Sequence, residues 1–151
     1  MVTVRSALMC CVAGLLVMAL GCGKPPMLSV SGTVKLDGKV VENCKVGFFP
    51  DTTEFNPDRH GFGFGVTNKE GKFEIQHPQG EKGIYPGKYK VIFILWADKT
   101  GKIMPMETKP SEVEGGVVNL FPTKYEEPST TPESVTVANQ ANVFEFDIKS
   151  K

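Results

Sequence analysis

Residues 28–36 alternate in polarity. Leu28, Val30, Val34 and Leu36 fall on one side, and Ser29, Ser31, Thr33 and Lys35 fall on the other. A period of two predicts a strand buried on one face. Asp37-Gly38 follows, the dipeptide that two-residue hairpins favour, and a return strand is expected near 43–49. There Cys44, Val46 and Phe48 share a face, so Cys44 reads as a small core residue. Residues 50–60 are a polar loop, and 61–67 alternate Gly with Phe62, Phe64 and Val66. Asn68-Lys69-Glu70-Gly71 is a four-residue turn, with Gly where a positive φ is tolerated. Phe73 and Ile75 continue the inward face on the next strand.

After a loop at 76–83, Tyr85-Pro86-Gly87 turns the chain into residues 88–96 (KYKVIFILW). The second half of that segment is apolar on both faces, which places it centrally in a sheet. Residues 98–133 break the rhythm with five prolines and the Gly115-Gly116 pair. This insertion is expected to hold a short strand near 117–120 and to drape over the body. Val135 and Val137 mark one short strand; Phe144, Phe146 and Ile148 mark the last. No segment after the first 21 residues holds a helical period over three turns. The expected fold class is all-β, an immunoglobulin-like sandwich of about seven strands in two sheets, preceded by a signal-peptide helix.

The first 21 residues change the picture. Arg5 is the only charge before Lys24, and the fourteen residues from Ala7 to Leu20 are apolar. A membrane-spanning helix needs about 20 such residues, so this length fits a cleaved signal instead. Ala19-Leu20-Gly21-Cys22 resembles the lipobox of bacterial lipoproteins, which implies a diacylglyceryl thioether on Cys22 and cleavage after Gly21. Each buried lipid CH₂ contributes roughly 0.8 kcal/mol, so several acyl chains hold a small domain on a membrane. Gly23 rather than Asp after the cysteine points, by resemblance to sorting rules in Gram-negative bacteria, to the outer membrane. The expected organisation is a signal peptide at 1–21, a tether at 22–27 and one domain at 28–151, with the insertion at 98–133.

Composition narrows the partners. Lys and Arg total 17, as do Asp and Glu. Without Arg5 the processed chain holds 16 basic and 17 acidic residues, a net of −1. No basic run exists, which argues against nucleic acid. Cys10 and Cys11 leave with the signal and lipid would occupy Cys22, so Cys44 is left without a disulfide partner.

Val30-Ser31-Gly32-Thr33-Val34, Asp37-Gly38-Lys39 and Cys44-Lys45-Val46 resemble the opening of the carboxypeptidase regulatory-like domains. Thr67-Asn68-Lys69-Glu70-Gly71-Lys72-Phe73 and Pro86-Gly87-Lys88-Tyr89-Lys90-Val91 are similar to that family's turn and its Pro-Gly-x-Tyr-x-Val strand. Cys44 stands where the family has Ala, and Asn68 where it has Asp. The resemblance covers residues 28–96 and resumes weakly at 135–148. It implies a seven-stranded transthyretin-like sandwich without catalytic residues of its own. The segment 120–125 lies outside the pattern and looks like an insertion found in small bacterial lipoproteins of this type.

Candidate chemistry is sparse. His60 and His77 lie in loops, with none of the spacing that zinc sites show. Asp51, Glu54, Asn56 and Asp58 crowd one loop with oxygen ligands, but the spacing is not that of an EF-hand, and solvated acids explain it as well as calcium does. Cys44 with His60 is a conceivable nucleophile pair, disfavoured by an apolar setting. The run Gly61-Phe62-Gly63-Phe64-Gly65 lacks the helix that a phosphate loop requires; close backbone approach explains its glycines better. Tyr85, Trp96, Phe121 and Tyr125 are aromatic candidates for contact, although Trp96 shares a face with Ile92 and Ile94 and reads as core. Phe121 and Tyr125, on the insertion, are the expected partner contacts. No cofactor is expected. The function expected is that of a non-catalytic, lipid-anchored envelope module of structural or protein-interaction type. The alternative is a carbohydrate- or peptide-binding module, with a small hydrolase further behind.

Overall fold

The computed structural model describes residues 23–150. The signal segment 1–21 and the lipidation residue Cys22 lie outside the described residues. Ten strands follow in chain order: β1 (Val30–Leu36), β2 (Lys39–Val40), β3 (Lys45–Pro50), β4 (Gly63–Val66), β5 (Lys72–Glu74), β6 (Gly87–Ile94), β7 (Trp96–Ala97), β8 (Val118–Asn119), β9 (Ser134–Val137) and β10 (Asn142–Ile148). The all-β class holds. One sheet has the order β10-β1-β2, with β5 on β1 beside β2; the second has the order β4-β3-β6-β9; β7 and β8 form a separate ribbon.

Local signals set the corners. Asp37 and Gly38 both have positive φ (52° and 79°), the requirement of the tight turn whose twist matches its flanking strands. The strand returning from that turn is β2, not residues 43–49. β2 is only two residues long, and Asn43 then takes a left-handed φ of 62° that carries the chain into the other sheet. There β3 pairs with β4 and β6. The turn at 68–71 forms as its sequence suggests: Asn68 Oδ1 accepts the N–H groups of Glu70 and Lys72 at 2.9 and 3.0 Å.

The two sheets close over a continuous apolar core. Val30, Val34, Phe73, Phe146 and Ile148 meet Cys44, Val46, Phe48, Tyr89, Val91 and Phe93. Within it the Phe93 ring centroid lies 5.0 Å from Phe146, 5.5 Å from Phe121 and 6.2 Å from Tyr125. Aromatic pairs at such spacing add about 0.5–1.5 kcal/mol each beyond the area they bury. β6 is central, as its two apolar faces require. β1 and β10 run parallel in an unbroken register from Val30↔Asn142 to Leu36↔Ile148.

The insertion at 98–133 is structured. It contains β8 and two 3₁₀ turns, Pro110–Glu112 and Thr123–Tyr125. Asn119 bonds it to the end of β6 and the residue after it: its Oδ1 accepts the Leu95 N–H at 2.9 Å, and its Nδ2 donates to the Phe93 carbonyl at 3.2 Å. The buried Thr131 hydroxyl donates to the Val91 carbonyl at 2.7 Å. These bonds draw Phe121 and Tyr125 inward, leaving them 2% and 8% exposed. The expectation that these two rings form a contact surface is therefore corrected. They complete the core beside Phe93.

Candidate functional site

The surface feature that stands out is the outer face of the second sheet. In β4 the glycines point inward. A Cβ on Gly63 would lie 2.4 Å from side-chain carbons of Ile75 and Ile84, and one on Gly65 would lie 2.5 Å from the Glu74 carbonyl oxygen. Only glycine fits so close an approach, and the strand's period of two then turns Phe62, Phe64 and Val66 outward. On β3 the outward positions are Lys45, Gly47 and Phe49; on β6 they include Ile92 and Ile94. Gly47 is a bare floor, over which Ile92, Phe49 and Phe64 close.

The rings form a chain. Phe55 stacks on Phe62 at 5.7 Å and 18°. Phe62 meets Phe49 edge-on at 5.4 Å, and Phe49 meets Phe64 edge-on at 5.7 Å. Lys45 Nζ sits 4.5 Å from the Phe64 ring centroid, a cation–π contact of about 0.5–1 kcal/mol at an exposed site. Phe55, Phe62 and Val66 remain 53%, 40% and 46% exposed. Large apolar side chains gathered on a monomer's surface mark contact sites more often than scattered ones do.

At the Lys45 end the face opens into a groove of about 590 Å³ lined by Lys45, Phe64, Val66, Glu74, Gln76, Trp96 and Met106. Trp96 is half-buried there. The side chains of β6 that face the core are Tyr89, Val91 and Phe93, followed by Leu95, so Trp96 goes outward with Ile92 and Ile94. Its reading as core is corrected. An apolar wall with one ammonium, one carboxylate and one amide is suited to an amphipathic ligand.

The other candidates are dispersed. Cys44 is fully buried, and burial pushes its thiol far above the ordinary range, which suits packing and not nucleophilic attack. His60 Nδ1 accepts the Asn56 N–H at 2.8 Å. His77 packs edge-on against the buried Tyr85 at 6.4 Å. Asp58 pairs with Lys24 at 2.8 Å and does not converge with Asp51 and Glu54; among the described residues no three His, Cys, Asp or Glu side chains are grouped to hold a metal ion.

The sequence reading missed Phe49, Phe55, Phe62 and Phe64 as a surface. The signal present was the strict Gly-Phe alternation at 61–65, one face of which had to be bare. No family model, curated protein or solved structure matches the chain.

Proposed function

We propose that this chain is a lipid-anchored module of a bacterial cell envelope, exported by residues 1–21, acylated on Cys22 and held at the outer membrane. In this reading the sandwich is non-catalytic and acts by contact with another envelope protein through the outer face of its second sheet. The observation that carries the reading is the aromatic chain running from Phe55 and Phe62 through Phe49 to Phe64, whose Phe64 end continues into the Trp96 groove, where the partner would sit. Contact surfaces are enriched in such rings, and a sheet presents them at little entropic cost. The likeness to carboxypeptidase regulatory-like domains supports a role as an accessory module.

A photo-crosslinking residue at position 64, introduced in the natural host, tests this. The expected outcome is a discrete adduct in the membrane fraction that is lost when the reactive residue is moved to exposed position 145 on the opposite sheet. Equal, diffuse labelling from both positions would reject the contact face. Mass spectrometry should find acylated Cys22, and an intact Met1 would reject the anchor.

A second reading is favoured by the groove itself. Trp96 and Phe64 beside Lys45, Glu74 and Gln76 combine an aromatic platform with hydrogen-bonding groups, as carbohydrate and peptide ligands require. A glycan array with wild-type protein and Trp96→Ala distinguishes the two: binding that vanishes in the variant favours the ligand module.

A further inference from the structure

We propose that the Phe55–Phe62 end of the aromatic face rests in the headgroup–acyl boundary of the membrane that carries the anchor, so that the domain stands on the bilayer in one orientation. This rests on the reading that Cys22 is acylated.

The position of the chain's exit carries the inference. Leu28 is fixed to the body by two backbone bonds with Ile84, at 2.8 and 3.0 Å. Pro25-Pro26 stiffens the stretch before it. Lys24 Nζ then meets Asp58 Oδ1 at 2.8 Å, and Gly23 lies in a hollow it shares with Asn56, Asp58 and Arg59. Consecutive Cα atoms are about 3.8 Å apart, so Cys22 is one such step from that hollow. Lipid on Cys22 would therefore enter the membrane beside the 51–60 loop.

That same loop, otherwise polar, carries one exposed ring that extends this face. Phe55 is 53% exposed and stacks on Phe62, 40% exposed. Among the described residues His60, 5.9 Å from Phe55, adds to their cover, and both rings belong to the residue class that amphipathic membrane contacts place at the acyl boundary. Asp51, Glu54 and Asp58 outnumber Arg59 and Lys24 by one, a net of −1, so no cationic attraction to anionic lipid drives the contact and salt should not weaken it. The Trp96 groove opens near Lys45, four residues from Phe49 along β3, about 13 Å at strand rise. It would stay clear of the lipid and open to a partner.

The test uses full-length acylated protein reconstituted in phosphatidylethanolamine–phosphatidylglycerol vesicles, with and without bromine on the acyl chains. The sole tryptophan, Trp96, reports the far end in the wild type. Phe55→Trp with Trp96→Phe reports the near end, and Phe62→Trp in the same background is a second probe should the first fold poorly. Bromolipid is expected to remove roughly half or more of the emission from position 55 or 62, to leave Trp96 unchanged, and to act equally in high salt. Protein that floats with the vesicles while positions 55 and 62 keep their full emission overturns the docking and leaves the anchor standing. Protein that does not float overturns the anchor and the docking with it.

Discussion

Asn119 substitutes for a strand at Leu95: its side-chain oxygen takes the Leu95 N–H at 2.9 Å, just where the β6 ladder stops. The same oxygen accepts the Phe121 N–H at 3.2 Å, and the amide nitrogen donates to Phe93. One side chain thus satisfies three backbone groups beside the core. Asn119→Ala leaves them without partners and is expected to destabilise by about 1–3 kcal/mol in urea titration. A loss within a few tenths of a kcal/mol would mean that water replaces the amide without cost.

Burial of Phe121 makes a sharper demand. If the ring completes the core beside Phe93, Phe121→Ala should cost about 3–5 kcal/mol. A near-neutral result, of the kind about ±0.5 kcal/mol that surface substitutions give, would return the residue to the surface and reinstate it as a contact candidate.

Gly65→Ala places a methyl 2.5 Å from the Glu74 carbonyl oxygen, a backbone atom that cannot swing away. Overpacking of this kind costs about 1–3 kcal/mol. Val66→Ala, one residue on and facing outward, should fall within about 0.5 kcal/mol of wild type. Comparable losses at both positions would show that the facing of β4 is wrongly assigned.

Acid should loosen the closure between the first turn and the last strand. Asp147 Oδ1 accepts the Gly38 N–H at 2.8 Å, and Asp37 Oδ1 accepts the Ser150 N–H at 3.0 Å. The Lys149 ammonium, then the Gly38 N–H, hold the Asp147 carboxyl below the ordinary range; hydrogen bonds from Ser150 do the same for Asp37. A carboxyl depressed in the folded state stabilises the fold above its unfolded pKa, about 3.9, and that contribution fades as pH falls through the folded value. Stability from this source should be level at neutral pH and decline below about pH 4. Urea midpoints of the double variant Asp37→Asn, Asp147→Asn should decline less steeply over that range; identical slopes would dismiss the pair.

Cys44 should be silent toward thiol reagents in the native protein. Its sulfur is buried and its thiolate disfavoured. Labelling should track unfolding, rising only with denaturant. Rapid modification of native protein would contradict the burial.

What was legible in the sequence was local. The alternation at 28–36 gave β1, the Asp37-Gly38 pair gave its turn, and the doubly apolar 88–96 segment gave the central strand. Pairing partners far apart in the chain were not legible. Nothing near residue 43 says that β3 joins the opposite sheet, because a left-handed Asn43 and a two-residue β2 decide it. The inward glycines of β4 depend on Ile75, Ile84 and Glu74, which a strand's own pattern does not contain. The insertion's rings looked available because their partner, Phe93, lies 28 and 32 residues earlier in the chain. The aromatic face was hidden by the usual inference that Phe goes inside.

The parallel pairing of β1 with β10 has a mechanical consequence. Residue 28 and residue 150 lie at opposite poles of the domain, because both strands run the same way in register. Tension applied between residue 28 and residue 150 would slide these strands lengthwise. All the rungs between them would bear the strain together, where a hairpin pulled from its open end would yield one rung at a time. Pulled along that axis, such a domain would resist stretching better than a hairpin of the same length peeled from its open end.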